Sequence, residues 1–151
     1  VLNVVASVTR EGDRVLCFRR KAEIVAGGLW EFPGGKVCPS ESARAALRRE
    51  LLEELGTVPS IRRFLLRRPT VVDARVIDIA FLETVFGNPS RLPATSTDHD
   101  RIEWVTVDRL GGLPWAEPDV PMVRRIQRSG NRFQTGRKHR SRAPGTAQSA
   151  L

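Results

Sequence analysis

The chain has 151 residues, 40% of them hydrophobic and 28% charged, with a formal net charge of +8. That composition suits one globular domain with a tail and excludes a chain disordered throughout. No stretch nears the ~20 consecutive apolar residues that span a bilayer, so no membrane partner is expected.

The first elements read clearly. Val1 to Val8 is apolar and rich in valine, and Val15 to Phe18 is a second short apolar run. Glu11-Gly12-Asp13 between them reads as a hairpin turn. A glycine-rich loop from Gly27 to Gly35 follows, interrupted by Leu29-Trp30-Glu31-Phe32. A helix is expected from about Glu41 to Leu55, with Ser40 as N-cap, Glu41 suiting the positive helix start and Gly56 as the stop. Ile61 to Leu66, Arg75 to Val85 and Arg101 to Val107 read as strands, and Pro121 to Gln127 as a last helix. Strands flanking a helix, then more strands and a closing helix, predict an α/β fold: a mixed sheet with helices packed on it.

Charge is uneven along this order. No acidic residue follows Asp119, whereas Arg124, Arg125, Arg128, Arg132, Arg137, Lys138, Arg140 and Arg142 do, which leaves residues 1–119 formally neutral. Residues 1–128 are therefore expected to form the domain, and 129–151 a basic, disordered tail. Such a tail binds nucleic acid only nonspecifically, through phosphate charge. Cys17 and Cys38 make neither a disulfide framework nor metal-ligand spacing with His99 and His139. With no leader-like segment at the start, a cytoplasmic location is expected.

The central helix breaks its own pattern. On a wheel of about 100° per residue, Ala43, Ala46, Leu47 and Leu51 form an apolar stripe, and Glu50 and Glu54 lie close to it. Glu53 falls on the Glu50 side. Carboxylates at spacings of three and four, partly buried, repel one another and lose hydration. Arg49, four residues before Glu53, offsets part of this. A divalent cation offsets the rest, and clustered oxygen ligands suit Mg2+ or Mn2+. The same residues also fit a solvated acidic patch held by i,i+4 pairs.

A wider pattern decides between these readings. Gly35, five residues, Glu41, seven residues, then Arg49-Glu50-Leu51-Leu52-Glu53-Glu54-Leu55-Gly56 resembles the Nudix box. Seven fixed residue types match, and with usage of roughly 7% for a common residue a chance match is about one in a million per chain. Thr57 departs from the aliphatic residue usual at the last position. Leu29-Trp30-Glu31-Phe32-Pro33-Gly34-Gly35-Lys36 and Ala116-Glu117-Pro118-Asp119-Val120-Pro121 are similar to the MutT-type subgroup. That subgroup includes oxidised-nucleotide sanitisers such as 8-oxo-dGTP diphosphatases, and CTP pyrophosphohydrolases.

The resemblance implies an α/β/α sandwich and Mg-dependent hydrolysis of a (deoxy)nucleoside triphosphate to nucleoside monophosphate and pyrophosphate. It implies metal ligands at Glu50, Glu53, Glu54 and the Gly34 carbonyl, with Glu50 acting as ligand, base or both, and Arg49 orienting the glutamates. A further acid from a later loop is expected, with Asp98 first choice in Thr97-Asp98-His99-Asp100; His99 itself reads as a surface loop histidine. Arg20 and Lys36, beside Gly35, are expected to meet phosphates, and Arg19 to point to the opposite face from Arg20. Asp119 is expected at the base edge, Trp115 stacked on the base, and Phe81, with Ile77 and Ile79, along the same pocket. Competing readings are another nucleoside-diphosphate-linked substrate, a nucleic-acid binder using the tail, and an inactive Nudix module. No oligomeric state follows from the sequence.

Overall fold

The computed structural model describes residues 1–136, with side chains through Ser129. The strands are β1 (Leu2–Glu11), β2 (Arg14–Arg20), β3 (Trp30–Glu31), β4 (Gly34–Lys36), β5 (Ser60–Val72), β6 (Arg75–Val85) and β7 (His99–Thr106); the helices are α1 (Ala43–Leu55) and α2 (Val120–Gly136). β1 is the hub. It turns through Gly12-Asp13 into antiparallel β2, pairs antiparallel with β4, and runs parallel to β6 from Leu2↔Ile77 to Thr9↔Thr84. β5 extends the sheet beyond β6, while β3 and β7 both pair with β2. The sheet is mixed, as the element order predicted.

Side-chain alternation along the strands feeds two cores, one on each face. Val5, Leu16, Phe18 and Leu82 pack with Ala46, Leu47, Leu51 and Leu55 of α1. Ala6, Val8, Val15, Cys17, Ile79 and Phe81 pack on the other face with Met122, Val123 and Ile126 of α2. A fully buried leucine contributes roughly 1.5–3 kcal/mol. Leu47 and Leu51 are both fully enclosed, so α1 is anchored by its apolar stripe and not by its surface.

Several boundaries differ from the sequence reading. α1 begins at Ala43, and Ser42, not Ser40, caps it: the Ser42 side chain accepts from the Ala45 N–H at 3.1 Å. Gly56 ends the helix as expected, at φ 70°, donating its N–H to the Leu52 carbonyl. The glycine-rich loop contains two short strands, β3 and β4, which one-stranded periodicity does not reveal. α2 continues to Gly136, past the expected domain boundary at residue 128. The remainder of the predicted tail, 137–151, lies outside the described residues. Among the described residues no helix is long and apolar enough to cross a membrane.

Candidate active site

The acidic end of α1 is organised by Arg49. Its guanidinium pairs with Glu41 at 2.7 Å and Glu50 at 2.9 Å and donates to the Lys36 carbonyl at 3.0 Å. Glu53, the partner expected from i,i+4 spacing, is 3.9 Å away and mostly exposed. Glu41 lies outside the helix and also accepts the Cys38 N–H at 2.9 Å. The Arg49 guanidinium, then the Cys38 N–H, hold the Glu41 carboxyl down to about 2. The place of Glu41 in the Nudix spacing, eight residues before Arg49, is the sequence signal that it serves the arginine as well as preceding the helix.

The glycine loop meets this end closely. Gly35 pairs with Val5 and Gly34 with Ala6 across β1–β4. A Cβ on Gly35 would collide with the Glu50 carboxylate, and one on Gly34 with the Val5 backbone. Glycine at both positions lets backbone approach where a side chain could not. Glu50 is thereby seated between the loop and Arg49. The Lys36 side chain is exposed and in no ion pair among the described residues.

Glu54 stands in the opposite situation. Burial, then the neighbouring charges of Asp98, Glu31 and Glu50, push its carboxyl up to about 8, with Arg20 opposing. Its Oε2 is buried and has no hydrogen-bond partner among the described residues. A buried carboxylate oxygen without a donor, facing other acids, is a group that a hard divalent cation satisfies. The donor set therefore fits such an ion. Among the described residues, though, no three acidic, histidine or cysteine groups already converge to hold one. Asp98, the expected later acid, is near enough to act on the Glu54 carboxyl, and its carbonyl accepts the Lys21 N–H at 2.9 Å.

Around Asp98 the structure corrects one expectation and adds a residue. His99 is not at the surface: it has no exposed area. Its Nε2 is 2.9 Å from Glu31 Oε1, and the same oxygen accepts from Arg20 at 3.0 Å. Arg20 also donates to the Val25 carbonyl at 2.7 Å, so the expected phosphate contact is already held by protein partners. Arg19 pairs instead with Asp100, through two hydrogen bonds of 2.8 and 2.9 Å. Glu31 was not singled out in the sequence.

On the α2 side, Trp115 lies 5.0 Å from the Phe32 ring, tilted by 31°, and donates its indole N–H to the Leu110 carbonyl. Asp119 is buried and accepts the Phe32 N–H at 3.2 Å. Burial, then the Glu31 charge, hold its carboxyl well above the usual range, against the Phe32 N–H and Arg20. Phe81 does not wall a pocket: it has no exposed area and packs edge-on beneath Phe32 at 6.1 Å. A central strand filling the α2-side core leaves it no surface for a ligand. Surface cavities of about 440 Å³ at Val1, Leu2 and Ala74–Val76, and about 280 Å³ between Trp115 and α2, contain none of these carboxylates. Chemistry, not cavity size, marks the site.

Comparison with known proteins agrees with this geometry. A family model described as NUDIX domain matches residues 1–126. The CTP pyrophosphohydrolase of Escherichia coli K12 is 32% identical over 124 residues, 82% of this chain and 89% of that protein. The 8-oxo-dGTP diphosphatase of Proteus vulgaris is 46% identical over 44 residues, 29% of this chain and 39% of that one. The crystal structure of a MutT protein from Methanosarcina mazei Go1 shares the fold, at a TM-score of 0.72 and 22% identity, over 85% of this chain and 94% of that one. Nudix hydrolases generally use divalent metal ions. The chain belongs to the Nudix family, as a MutT-type hydrolase acting on phosphoanhydride bonds.

Proposed function

We propose that this protein hydrolyses a (deoxy)nucleoside triphosphate, ordinary or oxidised, to nucleoside monophosphate and pyrophosphate with Mg2+. The observation that carries this reading is Glu54: a buried carboxylate oxygen with no partner among the described residues, near Asp98, Glu31 and Glu50. Glu50, Glu53, Glu54, Asp98 and the Gly34 carbonyl would hold the ion. A bound divalent ion supplies charge neutralisation at the phosphates and a more acidic water. Arg49 keeps Glu50 aimed, and Glu50 takes up the proton of the attacking water or helps hold the ion. Arg20, from its pinned position, and the exposed Lys36 meet the phosphates.

Asp119 reads the base in its neutral form. A neutral carboxyl offers one donor and one acceptor side by side. That pairs with the N3 acceptor and N4 donor of cytosine, and equally with the O6 acceptor and N7–H donor of 8-oxoguanine. It does not pair with ordinary guanine on that edge, where both atoms accept. Trp115 lies along the plane of the base. The reaction unit ends near residue 128, and the basic residues beyond it take no part.

The test is pyrophosphate release from 8-oxo-dGTP, dGTP, dCTP, CTP and 5-methyl-dCTP, with and without Mg2+. The expected result is Mg2+-dependent release, with a cytosine or 8-oxoguanine substrate preferred over dGTP. No release from any triphosphate would defeat the proposal and turn attention to diphosphate-linked substrates.

A further inference from the structure

His99 opens β7, and a polar stretch with an aspartate on either side of it gives no local reason for burial. Yet every polar atom of the ring has a partner. Nδ1 is 2.8 Å from Ser96 Oγ, Nε2 is 2.9 Å from Glu31 Oε1, and the ring meets Phe18 edge-on at 5.2 Å. Glu31 Oε1 already accepts from Arg20 and accepts here too, so Nε2 carries the hydrogen. Nδ1 shares a hydrogen bond with the Ser96 hydroxyl, whose oxygen also accepts the His99 backbone N–H at 3.2 Å. The network places a hydrogen on Nε2 and leaves no ring nitrogen unsatisfied.

That ring joins two parts of the chain 68 residues apart. On one side is the loop carrying Asp98, closed by the Ser96 N–H to the His99 carbonyl at 2.9 Å. On the other is Glu31 on β3, paired across from Phe18. Phe18 packs in the α1-side core with Leu51 and Leu55, so Glu31 stands on the face of the sheet that Glu54 covers. Both partners of Glu31 use Oε1; its Oε2 has no protein partner among the described residues.

We propose that His99 is a positioning residue of the acidic groove. Through Nε2–H it fixes Glu31 with one oxygen left open on the Glu54 face, and through Ser96 it pins the loop that carries Asp98 to the same groove. This role rests on reading the groove as a metal site. Residues that orient metal-binding carboxylates typically cost 10–100-fold in affinity or activity when removed.

The chemistry separates this role from simple filling of space. Leucine fills the His99 cavity and donates nothing. Glutamine places an N–H near the position of Nε2. The experiment therefore compares wild type, His99→Leu, His99→Gln and the milder Ser96→Ala. It measures Mg2+ affinity by calorimetry, kcat and KM, melting temperature, and the ring 15N shifts of the metal-free protein. The expected result is an Nε2–H tautomer and Mg2+ affinity about tenfold weaker in His99→Leu. His99→Gln is expected within about threefold of wild type, although both variants melt earlier. Should His99→Leu fail to fold, Ser96→Ala carries the test, with about threefold weaker Mg2+ affinity expected. His99→Leu, or Ser96→Ala in its place, binding Mg2+ like wild type would overturn the proposal, as would an Nδ1–H tautomer or a His99→Gln as impaired as His99→Leu. Wild-type protein that binds no Mg2+ refutes instead the reading of the groove on which the role depends.

Discussion

Two buried carboxyls, Glu54 and Asp119, lie on opposite sides of this sheet, and burial raises both. Their surroundings differ. Glu54 has acids around it and an oxygen with no donor. Asp119 has one acid, Glu31, near it and one N–H, from Phe32, to satisfy it. Desolvation alone therefore does not assign a role. A carboxyl crowded by several like charges calls for a cation, whereas one with a single acid neighbour and a backbone donor is stable as the neutral acid and becomes a hydrogen-bond donor.

The comparison breaks most sharply at Glu54. Glu54→Gln is expected to lower kcat by about 10³-fold, since it removes a charge from the site where phosphate charge is neutralised. Stability is expected to move the other way in the metal-free protein. A carboxyl whose folded pKa lies near 8 contributes stability that is fully present below its unfolded pKa and is lost as pH rises toward and through 8. At pH 9 the metal-free variant should thus melt a few degrees above wild type. A variant less stable than wild type at that pH would contradict the burial of an unpaired charge.

At Asp119 the expected effect is smaller and base-specific. Asp119→Ala should lower kcat/KM for the preferred base by about 10–100-fold, the scale of a lost polar contact in a pocket. Asp119→Asn keeps a donor beside an acceptor and should retain the preference. Because the folded pKa of Asp119 is raised, the preference of wild type should fade as pH climbs and the carboxyl ionises, while that of the Asn variant stays flat. Parallel pH profiles for the two would show that ionisation of Asp119 does not read the base.

The smallest effect belongs to the frame that carries Glu54. Ser42→Ala removes the α1 cap and should cost about 1 kcal/mol, read as a melting shift of about 2–5 °C with kcat retained. A loss of kcat instead would mean that the cap positions the glutamates directly.

These sites were unequally legible. The α1 stripe and its acidic end could be read from 3.6-residue periodicity, because the same few residues carry both the core and the chemistry. The hairpin at Gly12-Asp13 and the stop at Gly56 were local, and so were visible. Ser40 and Ser42 are equally good caps by composition; only the path of the loop, with Ser40 at φ 77°, chooses Ser42. The two- and three-residue strands β3 and β4 are too short to alternate. His99 and Glu31 meet across 68 residues through a β2–β7 register that includes a bulge at Arg19/Arg20, and no local pattern encodes that. Phe81 shows the reverse. The alternation Ile77, Ile79, Phe81 already described a core face, and only the resemblance suggested a ligand contact.

The central claim is that Glu54 helps hold a divalent cation, and Mg2+ titration of wild type and Glu54→Gln by calorimetry at about pH 7, below the raised Glu54 value, tests it most directly. The account predicts a binding event in wild type, with protons released as the Glu54 carboxyl ionises, that is weakened at least tenfold in the variant. Equal Mg2+ affinity in the two proteins would contradict it.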